Sequence, residues 1–300
     1  MRLLVTGRSG QVVSALVEAA ADQPRLTVLP LGRPDLDLAA PGDLAPLVRS
    51  LAPDVVVSAA AYTAVDQAES EPDLAFAANR DGAGAVAAAA AALALPVIHL
   101  STDYVFAGTG TSPYREDDPT GPVSVYGRSK LAGEEAVAAV NPNHAILRTA
   151  WVYAADGRNF LRTMIRLAQT RDEVGVVADQ RGTPTYAPDI AAAVIAVARN
   201  LLAAPERRDL RGVFHMTGSG ETTWAGFAAE IFRQSAARGG PSAAVRPITT
   251  ADYPTPAIRP PNSRLDCSRL AALHGITMPD WRDSLGHCMD RLQRQGTLAP

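Results

Sequence analysis

The sequence predicts an α/β fold: a doubly wound parallel sheet with a smaller, discontinuous C-terminal domain. Three observations carry that expectation. Through the first half of the 300-residue chain, short apolar runs alternate with Ala-, Leu- and Glu-rich stretches of helical length. A glycine-bearing loop joins the first apolar run to the first of those stretches. After Thr149 the alternation gives way to helical stretches separated by Gly- and Pro-bearing loops. Apolar runs without period-2 polarity suit strands covered on both faces, and strand–helix–strand order makes their sheet parallel with right-handed crossovers.

The expected strands of the first half are Leu3–Thr6, Leu26–Leu31, Val55–Ala59, Val97–Ser101 and Ala145–Thr149. The helices between them are Gln11–Ala21, Asp43–Leu51, Asp73–Leu95 and Ser129–Val140. Further on, Asn159–Thr170, Asp189–Ala203 and Thr223–Arg238 read as helices and Val213–Met216 as a strand. Residues 1–150 are assigned to the sheet domain, with segments of about 174–215 returning to it, and 151–300 mainly to the second region. Two proline-rich loops, Ala107–Val125 and Thr249–Ser263, are long enough to serve as lids.

Composition narrows the function. A formal charge of −3 and the lack of any Lys/Arg block give no reason to expect a nucleic-acid or membrane partner. Ala83–Ile98, the most apolar long stretch, is mostly alanine and too short to span a bilayer. The N-terminus runs straight into a strand pattern without a charged leader, so a cytoplasmic protein is expected. Cys267 and Cys288 read as buried, inert thiols, and the five histidines lack paired metal-ligand spacing, so no metal is expected.

The first strand-to-helix junction reads Thr6-Gly7-Arg8-Ser9-Gly10-Gln11, with Val12 and Val13 following. Glycine there permits a tight turn and close backbone approach, while the helix N-terminus directs N–H groups at a pyrophosphate. This is the Rossmann-like arrangement for a dinucleotide, although Val13 stands where a third glycine would complete the fingerprint. The second strand ends Leu31-Gly32-Arg33 without the acidic residue that would hold a ribose 2′-hydroxyl. Arg33 either meets a 2′-phosphate, which favours NADPH with NADH possible, or is a solvated loop residue. Asp37, followed by Leu38, either approaches the adenine or caps a turn.

Of the 28 basic residues one alone is lysine, Lys130, and it follows Tyr126 by four. With seven tyrosines, chance gives that spacing roughly once in forty trials. On a helix the two side chains share a face, and a nearby ammonium favours the phenolate, drawing the tyrosine pKa down from ~10. Some 20 residues earlier, His99-Leu100-Ser101-Thr102-Asp103-Tyr104 ends the fourth strand. Ligands bind outside the C-terminal ends of parallel strands, so the Thr102 hydroxyl is placed to hydrogen-bond a substrate carbonyl as charge develops on it.

These segments resemble the extended short-chain dehydrogenase/reductases, and more closely their dTDP-4-dehydrorhamnose reductase family. The likeness continues through Ser58–Asp66, Leu147-Arg148-Thr149-Ala150-Trp151, Asp179–Thr185 and Tyr253–Leu265. It implies reduction of a nucleotide-linked 4-keto sugar with Tyr126 as proton donor, Lys130 tuning the phenol and holding the cofactor ribose, and Thr102 orienting the carbonyl. It also implies that Ala61, Tyr62 and Thr63 line the cofactor with Leu100, and that Asp103 touches the substrate. Trp151 matches a tryptophan at the sugar, with core packing as the other reading; Arg259 or Arg264 is available for the substrate diphosphate. Residues 151–300 would then mainly bind the dTDP-sugar, in a monomer or homodimer; Ala15 replaces a glutamate that ligates magnesium at a dimer contact in some relatives. Two rivals stay open: a reductase of another nucleotide-linked 4-keto-6-deoxysugar, and a non-catalytic regulatory subunit of the methionine adenosyltransferase beta type. A dehydratase is disfavoured because Tyr104 stands where such enzymes resemble one another in carrying glutamate.

Overall fold

The computed structural model describes residues 1–298. Six strands form one parallel sheet: β1 (Arg2–Thr6), β2 (Thr27–Leu31), β3 (Val55–Ser58), β4 (Val97–Thr102), β5 (His144–Thr149) and β6 (Gly212–His215). Their spatial order is β2-β1-β3-β4-β5-β6. The main helices are α1 (Gln11–Ala21), α2 (Ala45–Leu51), α3 (residues 72–91), α4 (Val125–Val140), α5 (Phe160–Ala168), α6 (Ala187–Ala203), α7 (Trp224–Ala236), α8 (Ser268–His274) and α9 (Trp281–Arg294). Chain order reverses between β1 and β3, and a crevice opens at such a switch point beyond the carboxyl ends of the strands.

The strands are apolar throughout because successive side chains enter different cores. Leu3, Val5, Val55, Val57, Ile98, Leu100, Ala145 and Leu147 point to one face and pack on α1 and α6. Leu4, Val56, Val97 and Ile146 point to the other, against Val48 of α2, the alanines of α3 and Val137 of α4. Val13 and Ala15 are buried in the first of these cores, so the residue in place of a third glycine is a packing residue. A separate core gathers Met164 of α5, Phe227 and Ile231 of α7, and Trp281, Leu285 and Met289 of α9. Among the described residues, no helix is long and apolar enough to cross a membrane.

The structure departs from the sequence expectations in four places. α4 begins at Val125 rather than Ser129, because Ser124 caps it by accepting the Gly127 N–H at 3.1 Å. The long third helix passes through a π-helical turn at Ala77–Gly82. Within residues 174–215, which were expected to return to the sheet domain, β6 pairs with β5 and α6 packs against α1. Glu173–Val177 instead pairs in parallel with Ala244–Ile248 and contributes Val174 and Val176 to the separate core. α8 and α9 were not anticipated.

Candidate active site

The carboxyl ends of β1 and β3 are tied together by Thr6, whose Oγ1 accepts the N–H groups of Ala59 and Ala60, both at 3.0 Å. Gly7 follows at φ +103°, and a Cβ there would lie 3.2 Å from Val13 Cγ2. Only glycine meets both demands. Gly10 is the N-cap of α1 and offers no side-chain cap, so the backbone N–H groups of the first turn are left for a ligand.

Beside this loop lies a cavity of about 510 Å³ whose walls include Gly7, Arg33, Asp37, Leu38, Ala61 and Tyr62. Arg33 is largely exposed and paired with Asp37, Nε to Oδ2 at 3.0 Å, which together with the Ala39 N–H holds that carboxyl below its ordinary range. Arg8, which sequence reasoning passed over, lines the same cavity, donates to the Gly32 carbonyl at 3.3 Å and pairs with Asp35.

A second cavity, about 570 Å³, shares Ser9 and Ala61 with the first, so the two form one trough over the strand ends. Gly10, Gln11 and Val12 line it from the glycine loop, Ala61 and Thr63 from the segment after β3, and Leu100, Thr102 and Asp103 from β4 and its terminal turn. Tyr126 and Lys130 enter from α4, and Trp151 from the end of β5. Gly127 lets α4 rest directly on the turn after β4: a Cβ there would stand 2.3 Å from the Tyr104 carbonyl oxygen. This contact sets the Tyr126 ring edge-on to Tyr104, with centroids 5.5 Å apart.

Lys130 does not lower the Tyr126 pKa as expected. Its buried ammonium donates to the Leu100 carbonyl at 2.7 Å and lies 3.4 Å from His99 Nε2. Burial lowers it to about 8, partly opposed by Glu134, while burial and the Lys130 charge push His99 well below its ordinary value. Burial and the Asp103 charge raise the Tyr126 phenol to about 12, with the Thr102 hydroxyl acting the other way. Shared helix face is thus no guarantee of contact, because the carbonyl at the strand end claims the ammonium. Thr102 Oγ1 accepts the Tyr104 N–H at 3.2 Å and donates to Asp103 Oδ1 at 2.9 Å. Asp103 is buried with Oδ2 unpartnered, and that burial raises its carboxyl to about 6 against the hydrogen bonds from Ser263 and Thr102.

One turn beyond Lys130 lies a buried pair that sequence reasoning missed. Glu134 receives Arg148 of β5 at two oxygens, Nε to Oε1 at 2.9 Å and Nη2 to Oε2 at 2.7 Å, and the Ser101 hydroxyl donates to it as well. Also missed was Asn79 in the π turn, which accepts the Tyr62 N–H at 2.7 Å and donates to Ser129 Oγ at 2.9 Å. It thereby ties the trough wall to the helix that bears Tyr126. Glu134 stands four residues after Lys130 on the same helix, a spacing that could have pointed to it, but nothing local in the sequence points to its partner.

A third cavity of about 540 Å³ meets the second at Tyr104 and is walled by Phe160, Met164, Leu167, Arg171, Trp224, Tyr253 and Arg259. Arg259 reaches it while gripping Asp66 with both guanidinium arms, at 2.9 and 2.8 Å, which pins the proline-rich loop across the cleft. Arg264 is not brought there. Its guanidinium is buried and committed to Asn262 Oδ1, Glu221 and the Thr111 carbonyl, so it is a clamp within the loop. Trp151 lines the second cavity and stacks on Trp224.

A doubly wound sheet whose switch point carries a glycine loop and a Tyr/Lys helix defines a short-chain dehydrogenase/reductase type of protein. The family described as RmlD substrate binding domain matches residues 1–294. A curated dTDP-4-dehydrorhamnose reductase from Sinorhizobium fredii is 56% identical over 284 residues, covering 95% of each chain. The one from Escherichia coli is 41% identical over 299 residues, covering 97% of this chain and 98% of its own. The crystal structure of a dTDP-4-dehydrorhamnose reductase from Clostridium acetobutylicum has a TM-score of 0.87 at 38% identity, covering 98% of this chain and 100% of that one. The Bacillus anthracis enzyme, in complex with NADP, has a TM-score of 0.88 at 32% identity, covering 97% and 99%. The chain belongs to the dTDP-4-dehydrorhamnose reductase family.

Proposed function

We propose that this protein reduces the C4 keto group of dTDP-4-dehydro-6-deoxy-L-mannose (dTDP-4-dehydrorhamnose) to dTDP-L-rhamnose, using NADPH. The observation that carries the reading is the meeting of Thr102, Tyr126 and Lys130 in the same trough as the uncapped glycine loop, next to a further cavity of nucleotide size. The trough fits a dinucleotide on its own terms: Gly7 holds a φ of +103° that side-chain-bearing residues rarely adopt, α1 presents free N–H groups, and Arg33 and Arg8 stand at the far end where a 2′-phosphate needs cations. NADPH supplies the hydride when bound.

The chain's own residues do the rest. Gly7, Gly10, Gln11 and Val12 present backbone to the pyrophosphate, Asp37 and Leu38 border the adenosine end, and Ala61, Tyr62, Thr63 and Leu100 wall the trough. Lys130 holds the ribose. Thr102 turns its hydroxyl from Asp103 to the sugar carbonyl oxygen, and Tyr126 gives that oxygen its phenolic proton as negative charge develops there. A phenol at about 12 is fully protonated at neutral pH, as a donor must be. Asp103 and Trp151 contact the sugar, and Arg259 serves the diphosphate.

Residues 1–150, with α6 and β6, form the cofactor domain, and most of 151–300 forms the sugar-nucleotide region, in a cytoplasmic enzyme acting as a monomer or homodimer. The dTDP-4-dehydrorhamnose reductase relatives favour this reading over the regulatory-subunit alternative. Replacing Tyr126 with phenylalanine tests it. NADPH oxidation with dTDP-4-dehydrorhamnose is expected to fall about 10²- to 10⁴-fold while NADPH affinity stays within error. Unchanged turnover removes Tyr126 as the proton donor.

A further inference from the structure

We propose that Trp224 is a positioning residue for sugar recognition: its indole fixes Trp151 against the reaction cavity and links that cavity to the neighbouring nucleotide-sized one. The proposal rests on the functional reading above and assigns a specificity role to a residue of α7. Trp151 sits immediately beyond the strand-end residues at φ +49°, a backbone conformation that a bulky side chain adopts only when its surroundings impose it.

Two walls impose it. The backbone of Gly182 lies against the indole, so closely that a Cβ would come 2.5 Å from Trp151 Cε2. The Trp224 ring stacks on the same indole at 3.6 Å between centroids and 12° between planes. One small ladder, in which Thr222 pairs with Gly182 and Thr223 with Arg181, holds Gly182 and leads directly into Trp224 at the start of α7. Trp224 is itself held: Thr223 caps α7 by accepting the Gly226 N–H at 3.0 Å, and the Phe160 ring lies against the second indole at 4.6 Å. Trp151 lines the reaction cavity and Trp224 the adjoining one, so the stack is a shared wall between them. A sugar nucleotide occupying both cavities presses on both indoles, and the sugar subsite keeps its shape only while the second indole holds the first.

Trp281, the third tryptophan, is buried in a different environment against Phe227, so the stacked pair is expected to give an exciton couplet of its own in circular dichroism. With the full-length enzyme, Trp224→Leu is expected to abolish the couplet and lower kcat/KM for dTDP-4-dehydrorhamnose about tenfold or more, leaving the NADPH dissociation constant unchanged. Trp224→Phe, which keeps a flat ring face, is expected to restore most of kcat/KM. Gly182→Ala, which drives a methyl group into the indole with Trp224 intact, is expected to reproduce the defect. Loss of the couplet with kcat/KM intact overturns the proposal, as does equal loss of NADPH affinity in the leucine variant. Should that variant not fold, wild-type kcat/KM in both Trp224→Phe and Gly182→Ala overturns it. A wild-type enzyme that fails to oxidise NADPH with this sugar refutes the functional reading instead, whatever the couplet shows.

Discussion

Changing Glu134 to glutamine removes one charge from a pair that is almost wholly sealed, with side chains 5% and 4% exposed for Glu134 and Arg148. The guanidinium would remain buried with its Nη1 already unpartnered, and the Phe106 ring at 5.0 Å offers only partial compensation. Stranding one member of such a pair costs about 3–5 kcal/mol, because the remaining charge keeps its desolvation penalty and loses its counterion. An unfolding entropy of ~2.1 cal/mol/K per residue over this length corresponds to ~0.6 kcal/mol/K, so the melting temperature is expected to drop by about 5–8 °C. Urea titration and thermal melts read this directly. The variant is also expected to turn over more slowly, because Ser101 loses its acceptor and immediately precedes Thr102. Pairing Glu134→Leu with Arg148→Met is expected to recover most of the stability, since an apolar pair has no desolvation to offset. A glutamine variant within ~1 kcal/mol of wild type would refute the reasoning, as it falls well short of the stranded-charge cost.

Two further perturbations follow from the ends of the trough. Arg33→Ala is expected to weaken NADPH about tenfold or more while sparing NADH, as the loss of a charge-assisted contact to a 2′-phosphate requires; equal weakening of both rejects the assignment. Asp103 makes stability depend on pH. The folded carboxyl keeps its proton to about pH 6, whereas the unfolded one releases it near 3.8, so the fold takes up a proton across that window and loses stability as pH rises through it, by about 3 kcal/mol in all. Asp103→Asn is expected to flatten that slope in denaturation curves taken from pH 4 to 7 while impairing turnover. A slope identical to that of the wild type removes Asp103 as its origin.

What the sequence disclosed depends on how locally each feature is determined. The sheet was legible because burial on both faces writes itself into runs such as Val55–Ser58, and the glycine loop because Gly7 has no substitute at its φ. The start of α4 was missed because Gly127 resembles a turn, although its reason is the Tyr104 carbonyl packed against it. The two-stranded sheet of Glu173–Val177 and Ala244–Ile248 was illegible, because the partner lies some 70 residues on in a strand that contains Pro247. Arg259 and Arg264 looked alike in one proline-rich run, and only the fold shows one facing a cavity and the other gripping Glu221. The Trp151–Trp224 stack had no signal at all, since it joins residues 73 apart through a ladder of two short strands.

The electrostatics of the trough favour one direction of the reaction. A phenol at about 12 is neutral over phenolate by ~10⁵ to one at pH 7, and an alkoxide forming on the sugar is the stronger base, so with Tyr126 as the proposed donor, proton transfer accompanies reduction without prior ionisation. Oxidation of the product alcohol needs the phenolate, which burial and the Asp103 charge both oppose. Reduction of dTDP-4-dehydrorhamnose is therefore expected to keep a level rate from about pH 7, above the Asp103 titration near 6, to about 8, where the Lys130 ammonium begins to lose its proton. Oxidation of dTDP-L-rhamnose with NADP is expected to climb about tenfold per pH unit over the same range, following the phenolate fraction. Measuring both directions in one buffer series decides the matter: an oxidation rate that stays level with pH means that the proton leaves through a group other than Tyr126.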